Sequence, residues 1–220
     1  MRRICILGAS GRLGRVLTQQ ALDRGHQVKA LIRQPDKFPI RHPHLEIIQG
    51  SPQGALRNSM TFCEAVFNVL NISRTSDFPW SPLRTPERFL SETMRRLIPM
   101  MEAEDVSKLV LCSAWGVHET KRDLPFWFRW VIDNSNVGVA YRDHERQEDI
   151  ISESRHINWT IVRPVGLTNS KRICKPVISH NNQPKPGLLI SRASVAAFML
   201  DAWEQKHLYQ KRVTISTKGF

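Results

Sequence analysis

Three features of this 220-residue chain have residue types and spacing suited to chemistry. The first is the turn Gly8-Ala9-Ser10-Gly11-Arg12-Leu13-Gly14, which follows the apolar run from Arg3 to Leu7 and precedes a stretch with helical period. A strand, a glycine-rich turn and a helix N-terminus in that order make a place for a diphosphate. The glycines let the backbone turn sharply and approach the ligand, while first-turn N–H groups and the helix dipole favour its negative charge. The context, more than the Gly-x-x-Gly-x-x-Gly spacing, supports a dinucleotide cradle. The second feature is Arg33, at the end of the second strand-like run, with Lys37 one helical turn later and Arg12 in the glycine turn. A carboxylate there would bond a free ribose 2′-hydroxyl, whereas an arginine accommodates a 2′-phosphate. With no carboxylate between Asp23 and Asp36, NADP(H) is predicted over NAD(H), the alternative being an Arg33 that simply faces water. The third is Ser113, closing the run Lys108 to Cys112, where a hydroxyl could contact a substrate oxygen or cap its own turn.

These residues need a parallel sheet to hold them. Gln27–Ile32, Leu45–Gly50, Ala65–Leu70, Lys108–Cys112 and Asn158–Pro164 read as further strands, separated mostly by helix-length segments, which implies crossovers. The predicted fold is α/β: one doubly wound, parallel-sheet domain over residues 1–220, with a small substrate-side excursion at about 165–190. Ligands of such sheets sit beyond the C-terminal strand ends. Ser51, Asn71 and Pro164, at the ends of the third, fourth and sixth strands, therefore join Gly8, Ser10, Gly11, Arg12, Leu13, Gly14 and Arg33 as candidate cofactor-binding residues. Apolar residues from Phe89 to Met101 predict a helix over about 87–104, with Pro99 expected to kink or break it. Tyr141–Ile151 reads as another helix, in which His144 and Glu148 could pair at i, i+4. The proline-containing segment Lys171–Gly187 reads as an ordered excursion, a candidate lid, before a last helix and a closing strand.

Formal net charge is +12, but unevenly distributed: residues 1–41 and residues 171–220 each hold nine Lys and Arg against two Asp and Glu. A basic surface suits an anionic cofactor and substrate as well as nucleic acid; no recognition motif accompanies the charge, so nucleic acid is not the expected partner. The widely spaced Cys5, Cys63, Cys112 and Cys174 read as buried thiols of a reducing compartment, with no metal-ligand spacing. No apolar run is long enough for a membrane span, and a cytoplasmic protein is expected. One stretch has no place in this plan. Leu124-Pro125-Phe126-Trp127-Phe128-Arg129-Trp130-Val131-Ile132 could cover the substrate cleft, contact a second copy in a homodimer, or anchor to a membrane surface; the flanking Asp123 and Asp133 argue against the membrane.

Together the glycine turn, Arg33, Cys112-Ser113-Ala114-Trp115-Gly116, Trp159 to Pro164 followed by Leu167-Thr168, and Ile190-Ser191-Arg192 resemble the atypical short-chain dehydrogenases. The chain is most similar there to the NAD(P)H-binding, NmrA-like group that includes the biliverdin/flavin reductases. The resemblance spans essentially the whole chain. It implies a Rossmann fold, NADP(H), and in many members hydride transfer to a small acceptor such as a ketone, quinone or flavin. Catalytic members of the wider superfamily use a Ser with a Tyr and a Lys four residues apart. Ser113 matches the Ser, but Glu145 lies four residues after Tyr141, and aligning along the helix puts Ala140 on the Tyr position and His144 on the Lys position. A Tyr–Lys mechanism is therefore not expected. Ser113, Tyr141 and His144 remain the candidate catalytic residues, the last two as proton donor or positioning group. A non-catalytic NADP(H)-binding redox sensor is the competing expectation.

Overall fold

A computed structural model describes residues 1–218. The chain runs β1 (Arg3–Leu7), α1 (Arg12–Asp23), β2 (Gln27–Ile32), β3 (Leu45–Gln49), α2 (Leu56–Met60), β4 (Ala65–Asn68), α3 (Phe89–Ala103), β5 (Lys108–Cys112), α4 (Phe126–Asn134), α5 (Val137–Ser152), β6 (Asn158–Pro164), β7 (Gly166–Thr168), β8 (Val177–Ser179), β9 (Leu189–Ser191), α6 (Arg192–Ala202) and β10 (Lys211–Ser216). The main sheet has the order β3-β2-β1-β4-β5-β6-β10-β8 and is parallel except where β8 runs against β10. Its strands are nearly continuously apolar because both faces are covered. Leu13, Leu17 and Ala21 of α1 and Val195, Met199 and Leu200 of α6 pack on one face. Leu56 and Met60 of α2, Met94, Leu97 and Met101 of α3, and Ile151 of α5 pack on the other. This is the doubly wound Rossmann arrangement, and the strand order reverses direction between β1 and β4, where such sheets open a crevice for a ligand.

Several boundaries differ from the sequence-based expectation. Pro99 neither breaks nor ends α3, which runs on to Ala103. The proline lies on the exposed side, and packing by Met94, Leu97 and Met101 outweighs the hydrogen bond its ring removes. The fourth strand stops at Asn68 rather than Leu70, and the helix carrying His144 starts at Val137, ahead of Tyr141. The segment 171–187 contains β8, and β7 pairs in parallel with β9 beside the main sheet, so the excursion is tied down by backbone ladders. Cys5, Cys63 and Cys112 are buried free thiols, while Cys174 is only half-buried.

The placement of α5 depends on one fully buried carboxylate. No side chain of α3's own cap accepts a hydrogen bond. Asp143 of α5 does so from across the helix pair: its oxygens accept from Leu90 N at 2.7 Å, Ser91 N at 3.4 Å and Ser91 Oγ at 2.5 Å. These are first-turn donors, and a negative charge at a helix N-terminus is also favoured by the dipole. The contact fixes α5, which carries Tyr141 and His144, against α3.

Candidate functional site

At the end of β1 the backbone turns through Gly8 with φ of +84°, a left-handed conformation that favours glycine. A Cβ there would come within 2.9 Å of the Val69 and Leu70 backbone, so the turn crosses directly against the end of β4. A Cβ on Gly14 would lie 2.1 Å from the Gly8 carbonyl oxygen. Gly14 thus allows the first turn of α1 to sit against the loop before it, and Gly8 lets that loop cross the end of β4. Gly11 is the N-cap of α1 and no side chain caps it. Backbone donors at an uncapped helix start, beneath a turn kept clear of side chains, fit a diphosphate.

The other candidate cofactor residues lie along the same edge. Ile32 at the end of β2 pairs in register with Gln49 at the end of β3. Arg33 and Ser51 follow these strands, and Arg33 is exposed. Ser10 and Arg12 are exposed beside the glycine turn, while Leu13 is buried in the core beneath it. Arg12 is engaged by a residue with no sequence signal: it forms a two-pronged ion pair with Asp77 of the β4–α3 loop, at 2.8 and 3.0 Å. The hydrogen bond from Arg12 and its charge, with smaller contributions from Arg74 and Arg192, hold the Asp77 carboxyl below the usual range. Asn71 is exposed, three residues past the end of its strand, and its side chain accepts from the adjacent Ile72 N at 2.8 Å. Asn68 occupies the strand end proper, opposite Leu7, with its amide nitrogen buried and unpartnered. Pro164 is buried and its carbonyl accepts from Trp115 N at 3.0 Å, a backbone role.

Ser113, Tyr141 and His144 are not joined by hydrogen bonds to one another in the way a catalytic relay would be. Ser113 Oγ, at the C-terminal end of β5, is buried and has no partner among the described residues. Tyr141 stands near Gly116, where a glycine Cβ would approach its ring edge to 3.1 Å, and its ring meets Phe128 of α4 edge-on at 6.1 Å. Burial raises the Tyr141 phenol, which therefore keeps its proton. His144 is buried on the inner side of α5, where desolvation lowers its imidazole to about 4. It does not pair with Glu148. Its Nδ1 lies 2.6 Å from Gln147 Nε2, and a neutral ring that accepts there carries its proton on Nε2.

Glu148 turns instead to Arg163, which is almost wholly buried. Arg163 donates to both Glu148 oxygens at 3.0 and 2.6 Å and to Glu119 Oε1 at 2.5 Å. Burial would push the Glu119 carboxyl up, but the Arg163 hydrogen bond and charge outweigh it and hold it down. The cluster ties α5, β6 and the connection after β5 together, setting Tyr141 relative to Ser113. The pairing spans 15 and 44 residues of chain, so spacing gave no signal for it.

A protein-family model described as NAD(P)H-binding matches residues 8–206. Among solved structures, a short-chain dehydrogenase/reductase from Veillonella parvula DSM 2008 in complex with NADP superposes with a TM-score of 0.80 at 19% identity, covering 99% of this chain and 95% of that one. A Rossmann-fold NAD(P)-binding family protein from Shigella flexneri is 25% identical over 100% of this chain and 95% of its own, with a TM-score of 0.74. A candidate NADH-flavin reductase from Streptococcus pneumoniae TIGR4 gives 0.75 at 18% identity, covering 99% and 100% of the two chains. The match begins at Gly8, the first residue of the glycine turn.

Proposed function

The chain belongs to the NAD(P)H-binding family, and from that premise we propose that it is an NADPH-dependent reductase of a small conjugated acceptor, a quinone, flavin or carbonyl, working without a Tyr–Lys pair. The observation that carries the reading is Ser113 Oγ, a buried hydroxyl with no partner among the described residues, on the strand edge that the glycine turn shares. A buried hydroxyl left unpaired costs free energy, and an acceptor oxygen would satisfy it. The preference for NADPH rests on Arg33, an exposed guanidinium at the ribose-reading position, and the NADP complex of the Veillonella neighbour supports it.

Bound NADPH would supply the hydride. The protein's part is to orient and enclose the acceptor, which can provide much of the acceleration of such a transfer. Tyr141, whose ring edge lies beside Gly116, would be the proton donor; burial raises its phenol, so it would give that proton only to a strongly basic oxygen such as a developing alkoxide. His144 is neutral at physiological pH and so adds no positive charge to the site; its role is positional, within α5. The flavin reductase description of the Streptococcus neighbour supports a flat acceptor of this class.

NADPH oxidation by the purified protein against quinones, flavins and dicarbonyls tests the reading. Turnover with at least one acceptor, slowed by Ser113→Ala, is expected, and Arg33→Ala should weaken NADPH much more than NADH. Tight NADPH binding with no turnover on any acceptor would instead identify an NADP(H)-binding redox sensor. That second reading draws on the lack of any hydrogen bond from Ser113 to Tyr141 or His144.

A further inference from the structure

α4 has two faces with different fates. Ile132 is buried and Phe128 packs inward against Tyr141, while Phe126, Trp127 and Trp130 point outward. They are joined by Phe78 and Trp80 of the β4–α3 loop, so five aromatic residues each leave 43–77% of their surface exposed. The two segments make one surface. Phe78 lies 5.3 Å from Trp80, and Trp80 lies 6.1 Å from Trp130, between ring centroids. Trp80 Nε1 donates to Asn134 O at 2.8 Å, and Asn136 Nδ2 donates to the Trp80 and Ser81 carbonyls at 3.1 Å. The loop is thereby fixed to the end of α4, and the aromatic rings are held out rather than folded in.

The charges around this surface are one-sided. Asp133 is taken by Lys121 at 2.5 Å, Asp77 by Arg12, and Asp123 accepts from Asn182 Nδ2 and lies 3.8 Å from Arg122. The acidic residues that argued against a membrane in the sequence thus each have a partner on the protein surface. Arg74 donates to the Asp77 carbonyl and adds to the field that holds the Asp77 carboxyl down, whereas Arg84 reaches only the Thr75 carbonyl and Arg129 Nε has no partner, so among the described residues Arg84 and Arg129 have no carboxylate. Tryptophan and phenylalanine on a short surface helix that also carries Arg129, joined to a loop that carries Arg84, suit the headgroup boundary of an anionic bilayer, where amphipathic rings settle and cations meet lipid phosphates. A second copy is the less suitable occupant, because each chain carries a net charge of +12 and the same arginines would face one another.

We propose that the Phe78–Trp80 loop and the outer face of α4 form a docking surface for anionic lipid bilayers. The inner face of the same helix touches Tyr141, so docking would turn the mouth of the candidate acceptor site toward the lipid. The docking claim itself holds whether or not the protein is a reductase. The full chain is mixed with vesicles of phosphatidylcholine alone or with phosphatidylglycerol, and binding is read by sedimentation and by quenching of tryptophan fluorescence with brominated acyl chains. Binding to the anionic vesicles should exceed that to neutral ones by about tenfold or more, fall with added salt, and show quenching. Trp127→Ser with Trp130→Ser should remove the quenching and cut binding about tenfold while leaving NADPH binding intact. Arg84→Gln with Arg129→Gln, which leaves the aromatic face in place, should remove the preference for anionic lipid. Absence of binding to anionic vesicles at low salt would overturn the proposal. So would unchanged binding by both variants, or a dimer in solution that the Trp127→Ser, Trp130→Ser protein no longer forms.

Discussion

Mild acid should destabilise the fold through His144 before its carboxylates protonate. The imidazole is lowered from 6.5 to about 4 by burial, so the unfolded chain takes up a proton at a pH where the folded one does not. A depressed folded value means that the stability is fully present above about pH 6.5 and is lost as the pH falls toward 4. At 1.36 kcal/mol per unit the limiting loss is about 3 kcal/mol, of which about 2 kcal/mol is already gone at pH 5. That is a large share of the roughly 5–15 kcal/mol that holds a domain folded. Glu119 acts in the same direction, but only below its ordinary 4.5, and His26 is also lowered by burial, with the same sign. A non-titrating variant separates His144 from both. Urea unfolding of the native protein and of His144→Gln, followed by tryptophan fluorescence at pH 7 and pH 5, should show the stability gap between the two shrinking by about 2 kcal/mol at the lower pH. A gap that stays constant would refute the reasoning, since it would mean that His144 titrates alike in both states. The same neutrality predicts a turnover profile with no inflection from His144 near 6.5.

Substitutions at two further residues test what positions the site. Asp143→Ala should cost about 3 kcal/mol in urea unfolding by stripping the first turn of α3 of its acceptor, and Asp143→Asn should recover part of it because an amide oxygen can still accept from Leu90 N. Asp77→Asn should free Arg12 for the cofactor and tighten NADPH a few-fold by isothermal titration, more at low salt than at high; unchanged affinity would show that Arg12 makes no phosphate contact.

The strands and the glycine turn were legible because their causes are local. An apolar run buried on both faces looks the same wherever it pairs, and Gly8 and Gly14 are required by a close approach between residues within a few positions, or at the adjoining strand end. Where the cause lay elsewhere in the chain, local reading went wrong in specific ways. His144 and Glu148 share a helix face at pairing distance, yet a buried guanidinium fifteen residues on competes for Glu148 and wins, since it offers two charge-assisted hydrogen bonds against one from a ring that burial keeps neutral. Asn71 looked like the residue at the strand end because the apolar run extends to Leu70, whereas the β ladder ends at Asn68 and leaves that amide beside the glycine turn. Asp77 had no signal at all. It lies in a loop with no periodicity, 65 residues from the arginine that it binds.

The aromatic segment shows the same division between composition and placement. Its sequence states that something apolar is needed but not on which side, because Phe126, Trp127, Phe128 and Trp130 fall on opposite faces of one nine-residue helix. Phe128 goes inward to Tyr141 and its neighbours go outward to Trp80, so a single element serves as wall to the candidate site and as exposed surface. The objection drawn from Asp123 and Asp133 assumed that flanking charges stay free. Their partners, Asn182 and Lys121, come from the excursion after β7 and from the segment before α4; Lys121 cancels the charge of Asp133, while Asn182 only hydrogen-bonds Asp123. What a charged residue contributes to a surface is thus set by whether the fold has already supplied its counterion. At this face Asp77 and Asp133 have theirs in Arg12 and Lys121, and Arg84 and Arg129 have none among the described residues.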